Sequence, residues 1–149
     1  MFTTKENAKL FPEIEKMRVL HQHINYVKIV SISKKGNRGI SFGFVDRDLI
    51  FYDLERNVIN SKTNMEMSIS SYCFNPDASK SLLSFERSPD IVLWDHTASS
   101  HRWKSELKSH KNYVFIVKIS DDSEVALSCC LAMKIIYWNI SKKEPIKSI

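Results

Sequence analysis

Apolar residues in this chain fall into short runs separated by clusters of polar turn formers. Three runs set the pattern: Leu49-Ile-Phe-Tyr52, Ile91-Val-Leu-Trp94 and Ile135-Ile-Tyr-Trp138. Each is too short for a buried helix and is rich in β-branched and aromatic side chains, which predicts strands. Within them apolar residues do not alternate with polar ones. A sheet with one wet face would alternate, so these strands are expected to be covered on both faces. Between the runs, Lys35-Gly36-Asn37, Asn75-Pro76-Asp77 and Asp121-Asp122-Ser123 have the composition of tight reversals.

The pattern repeats. His23-Ile-Asn-Tyr-Val-Lys-Ile-Val-Ser-Ile-Ser33 returns 87 residues later as His110-Lys-Asn-Tyr-Val-Phe-Ile-Val-Lys-Ile-Ser120, with eight of eleven positions identical. Along the chain, an aromatic residue followed by Asp or Asn closes an apolar run three times. These closures are Tyr52-Asp53, Trp94-Asp95 and Trp138-Asn139, spaced 42 and 44 residues apart. The pairs Ile32-Ser33, Phe74-Asn75 and Ile119-Ser120 recur with spacings of 42 and 45. Two markers with one period define three units, at about 21–63, 64–107 and 108–149, behind an N-terminal tail of residues 1–20. Each unit divides into four short strands: 26–32, 38–44, 48–53 and 58–61 in the first, 69–74, 81–85, 90–95 and 101–104 in the second, and 113–119, 124–130, 134–139 and 145–149 in the third. The expected fold is all-β, a partial β-propeller of three four-stranded antiparallel blades.

At these residues the chain resembles the WD-repeat β-propeller family over about residues 21–149. Phe74-Asn-Pro-Asp77 and Trp94-Asp95 match the family repeat best. His23 and His110 match its His, although Gln22 and Ser109 replace the preceding Gly. The resemblance implies a buried group of that His, a strand Ser or Thr, a turn Asp six residues before the aromatic, and the aromatic itself. Asp46 fits this spacing from Tyr52, whereas Ser88 and Ala132 stand at the same distance from Trp94 and Trp138. The middle unit has no His, its equivalent lying near Met65. The resemblance also implies a non-catalytic scaffold that binds other proteins in a multi-subunit complex. Partners would meet the loops entering each first strand, at Asn25, Tyr26, Asn112 and Tyr113. The competing reading of the repeated Asn-Tyr is structural. Arg87 and Trp103 are non-repeated candidates for a binding anchor.

Closed propellers have about four to eight blades, so three units do not complete a ring. Either a longer protein or another chain supplies the rest; one arrangement is a two-chain, six-bladed ring, formed by self-association through the open blade faces. The segment Lys16–Leu20 is a candidate outer strand of a further blade. Residues 1–15, with Leu10, Phe11 and Ile14 on one side of a notional helix, are expected to pack as a tail.

Composition and charge narrow the function. The formal charge is +5, but the basic residues are scattered and no run of five occurs. The densest group, Arg102, Lys104, Lys108 and Lys111, supports an alternative role as an RNA- or ribonucleoprotein-associated subunit with a basic rim; a nucleic-acid partner is otherwise not expected. Cys73, Cys129 and Cys130 form no CxxC pair, which argues against a zinc site. His21 and His23 could share a metal, but a third ligand is missing. No nucleophile elbow, phosphate-binding glycine loop or cofactor motif is present, so neither catalysis nor a cofactor is expected. Met1–Leu20 lacks the apolar core of a secretory signal, and no apolar stretch reaches the roughly 18 residues of a membrane helix. The Asn139-Ile140-Ser141 sequon is read as chance. The expected location is intracellular, the cytoplasm before the nucleus.

Overall fold

A computed structural model describes residues 20, 22–97 and 104–149. They form twelve strands. β1 (Val27–Ile32), β2 (Arg38–Gly43), β3 (Asp48–Asp53) and β4 (Val58–Asn64) make the first sheet. β5 (Ile69–Phe74), β6 (Lys80–Phe85), β7 (Ile91–Asp95) and β8 (Lys104–Leu107) make the second, and β9 (Val114–Ile119), β10 (Val125–Cys130), β11 (Ile135–Asn139) and β12 (Glu144–Ser148) the third. Each sheet is an antiparallel meander in sequence order. The fold is therefore all-β, with three blade-like sheets that do not close on themselves. The largest departures from expectation are at the ends of β4 and β8, each of which runs three residues past its expected end, to Asn64 and Leu107. The expected tail over residues 1–19, His21, and the segment 98–103 with Trp103 lie outside the described residues.

Register alignment makes the sheets directly comparable. Gly39, Ser81 and Ala126 pair with Tyr52, Trp94 and Trp138, and Ile40, Leu82 and Leu127 pair with Phe51, Leu93 and Tyr137. Each sheet thus has a front face, carrying the closing aromatic, and a back face. The back of the first sheet meets the front of the second in a core containing Phe42, Leu49, Leu83, Val92 and Trp94. The back of the second meets the front of the third, where Leu82, Ile91 and Leu93 pack with Val117, Ile136 and Trp138. The two-sided apolar run of the middle sheet follows from this: Ile91 and Leu93 serve one interface, Val92 and Trp94 the other. The third run departs from the expectation, because no sheet of this chain follows it: Ile136 and Trp138 are buried, but Ile135 and Tyr137 are exposed.

The main inter-sheet contacts fall on the first two strands of the sheets, between β1 and β5, β5 and β9, and β6 and β9. Lys34, in the β1–β2 turn, places its Nζ 2.5 Å from Asp121 Oδ2 in the β9–β10 turn, although the second sheet stands between their own sheets. Parallel layers at the usual spacing of about 10 Å would hold those turns about 20 Å apart, beyond a lysine's reach. The sheets consequently fan out from a shared inner edge.

Two local devices repeat without a clear sequence signature. A bulge interrupts the first strand of every sheet, leaving Lys28, Ser70 and Phe115 as the extra residue. Two of these reach the next sheet: Lys28 Nζ bonds Ser68 Oγ at 3.0 Å and pairs with Glu86, and Ser70 Oγ donates to the Val114 carbonyl at 2.8 Å. In the first turn of each sheet, Gly36, Ala78 and Ser123 have φ of 72°, 59° and 63° and donate their amides to the carbonyls of Ser33, Asn75 and Ser120. Left-handed positions elsewhere are held by Arg47, Asn57, Arg87, Met133 and Lys143. With three glycines in the chain, Arg, Ala, Met, Asn, Ser and Lys hold left-handed positions.

Candidate protein-interaction surface

The repeated residues build three versions of one buried site. In the first sheet, His23 Nδ1 donates to Asp46 Oδ2 at 2.9 Å, its Nε2 lies 2.6 Å from Ser41 Oγ, and Ser41 Oγ lies 2.7 Å from the Tyr52 hydroxyl. The Ile24 and Asp48 amides add bonds to the same carboxylate. Burial works to raise the Asp46 pKa, but these amides and His23 outweigh it and hold the carboxyl below its ordinary value. Gly43 makes room for the pair: a Cβ there would sit 1.9 Å from Asp46 Oδ1 and 2.6 Å from His23 Nδ1.

In the third sheet, His110 Nε2 lies 2.6 Å from Ser128 Oγ, which also accepts from Trp138 Nε1 at 2.7 Å. Ala132 stands where Asp46 would be, and His110 Nδ1 is buried without a partner. Burial, then the nearby Lys134 charge, pushes the His110 pKa down. In the second sheet, register puts Leu83 at the hydroxyl position, and Met65 lies near the imidazole position; both join the core with Trp94. The Ser88 hydroxyl, at the carboxylate position, bonds Asp90, while the Ser88 carbonyl accepts the Val114 amide of the third sheet at 3.1 Å.

Asp53, Asp95 and Asn139 have a shared task. Each side chain accepts an amide of the following turn, from Arg56 at 3.0 Å, Thr97 at 2.9 Å and Lys142 at 2.7 Å. Asp53 also takes a bond from Arg38 Nη1 at 2.7 Å. Bonding to the Arg56 amide, chiefly, lowers the pKa of Asp53; the Thr97 hydroxyl and amide do so for Asp95.

The candidate partner-binding residues divide by role. Asn25 and Asn112 turn their Oδ1 atoms onto the amides of Tyr26 and Tyr113, at 2.7 and 2.8 Å, and so shape the entry to β1 and β9. Tyr26 is displayed: it is 56% exposed and stacks on Phe44 with ring centroids 4.9 Å apart. Ile24, two residues before Tyr26, and Val45, next to Phe44, are exposed as well. In the third sheet the Tyr113 carbonyl accepts the Leu131 amide as the Tyr26 carbonyl accepts that of Phe44. The exposed Leu131 is thus the counterpart of Phe44, while Tyr113 is half-buried. Phe44 and Leu131 have no marker in the repeat, because they lie in the variable β2–β3 and β10–β11 turns. Arg87 is exposed in the β6–β7 turn at φ 59°. Of the basic group, Lys108 pairs with Glu106 at 2.7 Å and Lys111 is exposed; Arg102 lies outside the described residues.

A cleft of about 330 Å³ opens between the first and second sheets, lined in part by Arg38, Asn60, Asp95, His96 and Thr97. His96, which has no evident partner in the sequence, stacks on Trp94, meets Phe51 and Phe74 edge-on, and places Nε2 2.9 Å from Ser81 Oγ. Cys73 is buried, and desolvation raises its thiol to about 11. Among the described residues, no helix is long and apolar enough to cross a membrane, and no group of three or more metal-binding side chains converges. The chain matches no known family profile and no curated protein at a significant level.

Proposed function

We propose that this chain is a non-catalytic scaffold of the WD-repeat type, which binds other proteins within a larger intracellular assembly. One observation carries the reading: the exposed Tyr26–Phe44 stack, with Ile24 and Val45, stands on turns held by the His23–Asp46 bond and by the Asn25 cap. Exposed aromatic groups on rigid supports suit a binding hot spot, because little side-chain entropy is lost on docking. Proximity cross-linking from Tyr26, by a photoreactive residue placed there, tests the reading. Protein adducts that vanish with Phe44→Ala and survive nuclease and 0.5 M salt are expected. Adducts to RNA, abolished by nuclease, would replace the scaffold with the nucleic-acid reading.

A further inference from the structure

We infer that two copies of this chain pair head to tail, the back of the third sheet of each seated on the front of the first sheet of the other, to form a closed six-sheet ring. The inference rests on reading the chain as a propeller-type scaffold and identifies its first partner as itself.

The observation is a set of matched positions. Val117 and Val30 occupy the same register position on a front face, opposite Ser128 and Ser41, yet Val117 is 0% exposed and Val30 74%. Leu82 and Leu127 occupy the same position on a back face, and their exposures are 1% and 47%. Ile91 and Ile135 are likewise matched, at 0% and 41%. Residue type and register are the same in each pair; only the covering sheet differs. Inside the chain, Val117 and Leu82 lie in one apolar cluster. Val30 and Leu127 are therefore the two halves of the same interface, carried on opposite ends of one molecule.

The front of the first sheet is shaped to receive a sheet. Val27, Val30, Ile32, Tyr52 and Leu54 line an apolar hollow of about 390 Å³. The back of the third presents Ile116, Leu127, Ile135 and Tyr137. The curvature agrees, since the Lys34–Asp121 contact shows that sheets two apart already touch at the inner edge. Three sheets from each of two copies make six, within the range of closed propellers. Under one two-fold axis the pairing covers both open faces of both copies, whereas a rotation that failed to close would run on as a filament.

The test is solution mass by light scattering after size exclusion, with circular dichroism to verify folding, on the full chain, Val30→Lys, Leu127→Glu and an equimolar mixture of the two variants. The expected masses are twice 17.3 kDa for the unaltered chain and 17.3 kDa for each variant alone. The mixture should return to the doubled mass, because a mixed pair has one unaltered interface and one Lys–Glu interface. A folded single-copy chain, a polydisperse filament, or a dimer indifferent to both substitutions overturns the inference. The Tyr26 adducts are scored separately on the same samples: a folded single-copy chain that still forms them leaves the scaffold reading standing.

Discussion

The first and second sheets fill the same buried site in opposite ways. The first uses a chain of four polar groups, Asp46, His23, Ser41 and Tyr52, with the carboxylate also held by two amides. The second has Met65 and Leu83 beneath Trp94. A polar network in a core is stabilising only when every member is satisfied, whereas replacing partners together by apolar groups removes the problem. The third sheet lies between these solutions: three groups are joined, and His110 Nδ1 is left over. Completeness of the set, more than its polarity, decides whether it helps.

The strongest way to break the comparison is to put one polar group into the apolar version. Leu83→Ser leaves a cavity and a hydroxyl facing Met65 in place of a histidine, and should lower unfolding free energy by about 3 kcal/mol in urea titration. If the loss is under a third of that, the second sheet tolerates polarity and the contrast fails. Gly43→Val should cost about the same, roughly 3 kcal/mol, because its Cβ drives Asp46 away from His23 and strands a buried charge. Cys130→Val, at the matching register position in the third sheet, should cost far less, since no carboxylate stands there. Equal losses at the two positions would show that the carboxylate is not the cause.

Asp46→Ala should remove about 2 kcal/mol, as His23 and two amides lose their acceptor. It should also change the acid limb of stability. Because the folded pKa lies below the unfolded value of 3.8, this contribution is complete above that value and lost as pH falls through the folded pKa. His110 acts in a higher window. Its folded pKa lies below 6.5, so stability should decline as pH drops from 6.5 towards that folded value, where the unfolded chain takes up the proton first.

The double replacement Ala132→Asp with Cys130→Gly supplies the acceptor for His110 and the space for it. A gain of about 1 kcal/mol near pH 7 is expected. The decline below pH 6.5 should disappear, since a carboxylate beside His110 favours its protonated form. A persistent decline would mean that burial alone governs this histidine. Ala78→Gly is the smallest effect: relief of a left-handed alanine, offset by the greater freedom of glycine when unfolded, should add about 0.5 kcal/mol to thermal stability.

The strand order and most strand boundaries were readable because a 42–45-residue period and closing aromatic pairs mark every unit. The grouping of His23, Asp46 and Tyr52 was implied by the resemblance to a repeat family, with its turn Asp six residues before the aromatic, and so was the substitution of Ala132. Ser41 and Ser128 were not singled out, since serines are numerous and only register places these opposite Ile50 and Ile136. Gly43 carries no motif; its role comes from a side chain three residues away. His96 looked unpartnered because Phe51 and Phe74 come from strands distant in sequence. At the interaction surface Tyr26 was named, but its stacking partner Phe44 sits in a turn that does not repeat.

By itself, the sequence determined what each strand is and where it turns, because those depend on local chemistry: apolar runs, β-branched residues, polar reversals and the Asp or Asn that caps the following turn. It also determined that both faces of the sheets need cover. Which faces receive it was decided only by tertiary structure. Val117 and Val30 have the same side chain at the same register, and so do Leu82 and Leu127; one of each pair is buried and the other is not. Burial belongs to the arrangement of neighbours, and no residue encodes its own neighbours across the stack.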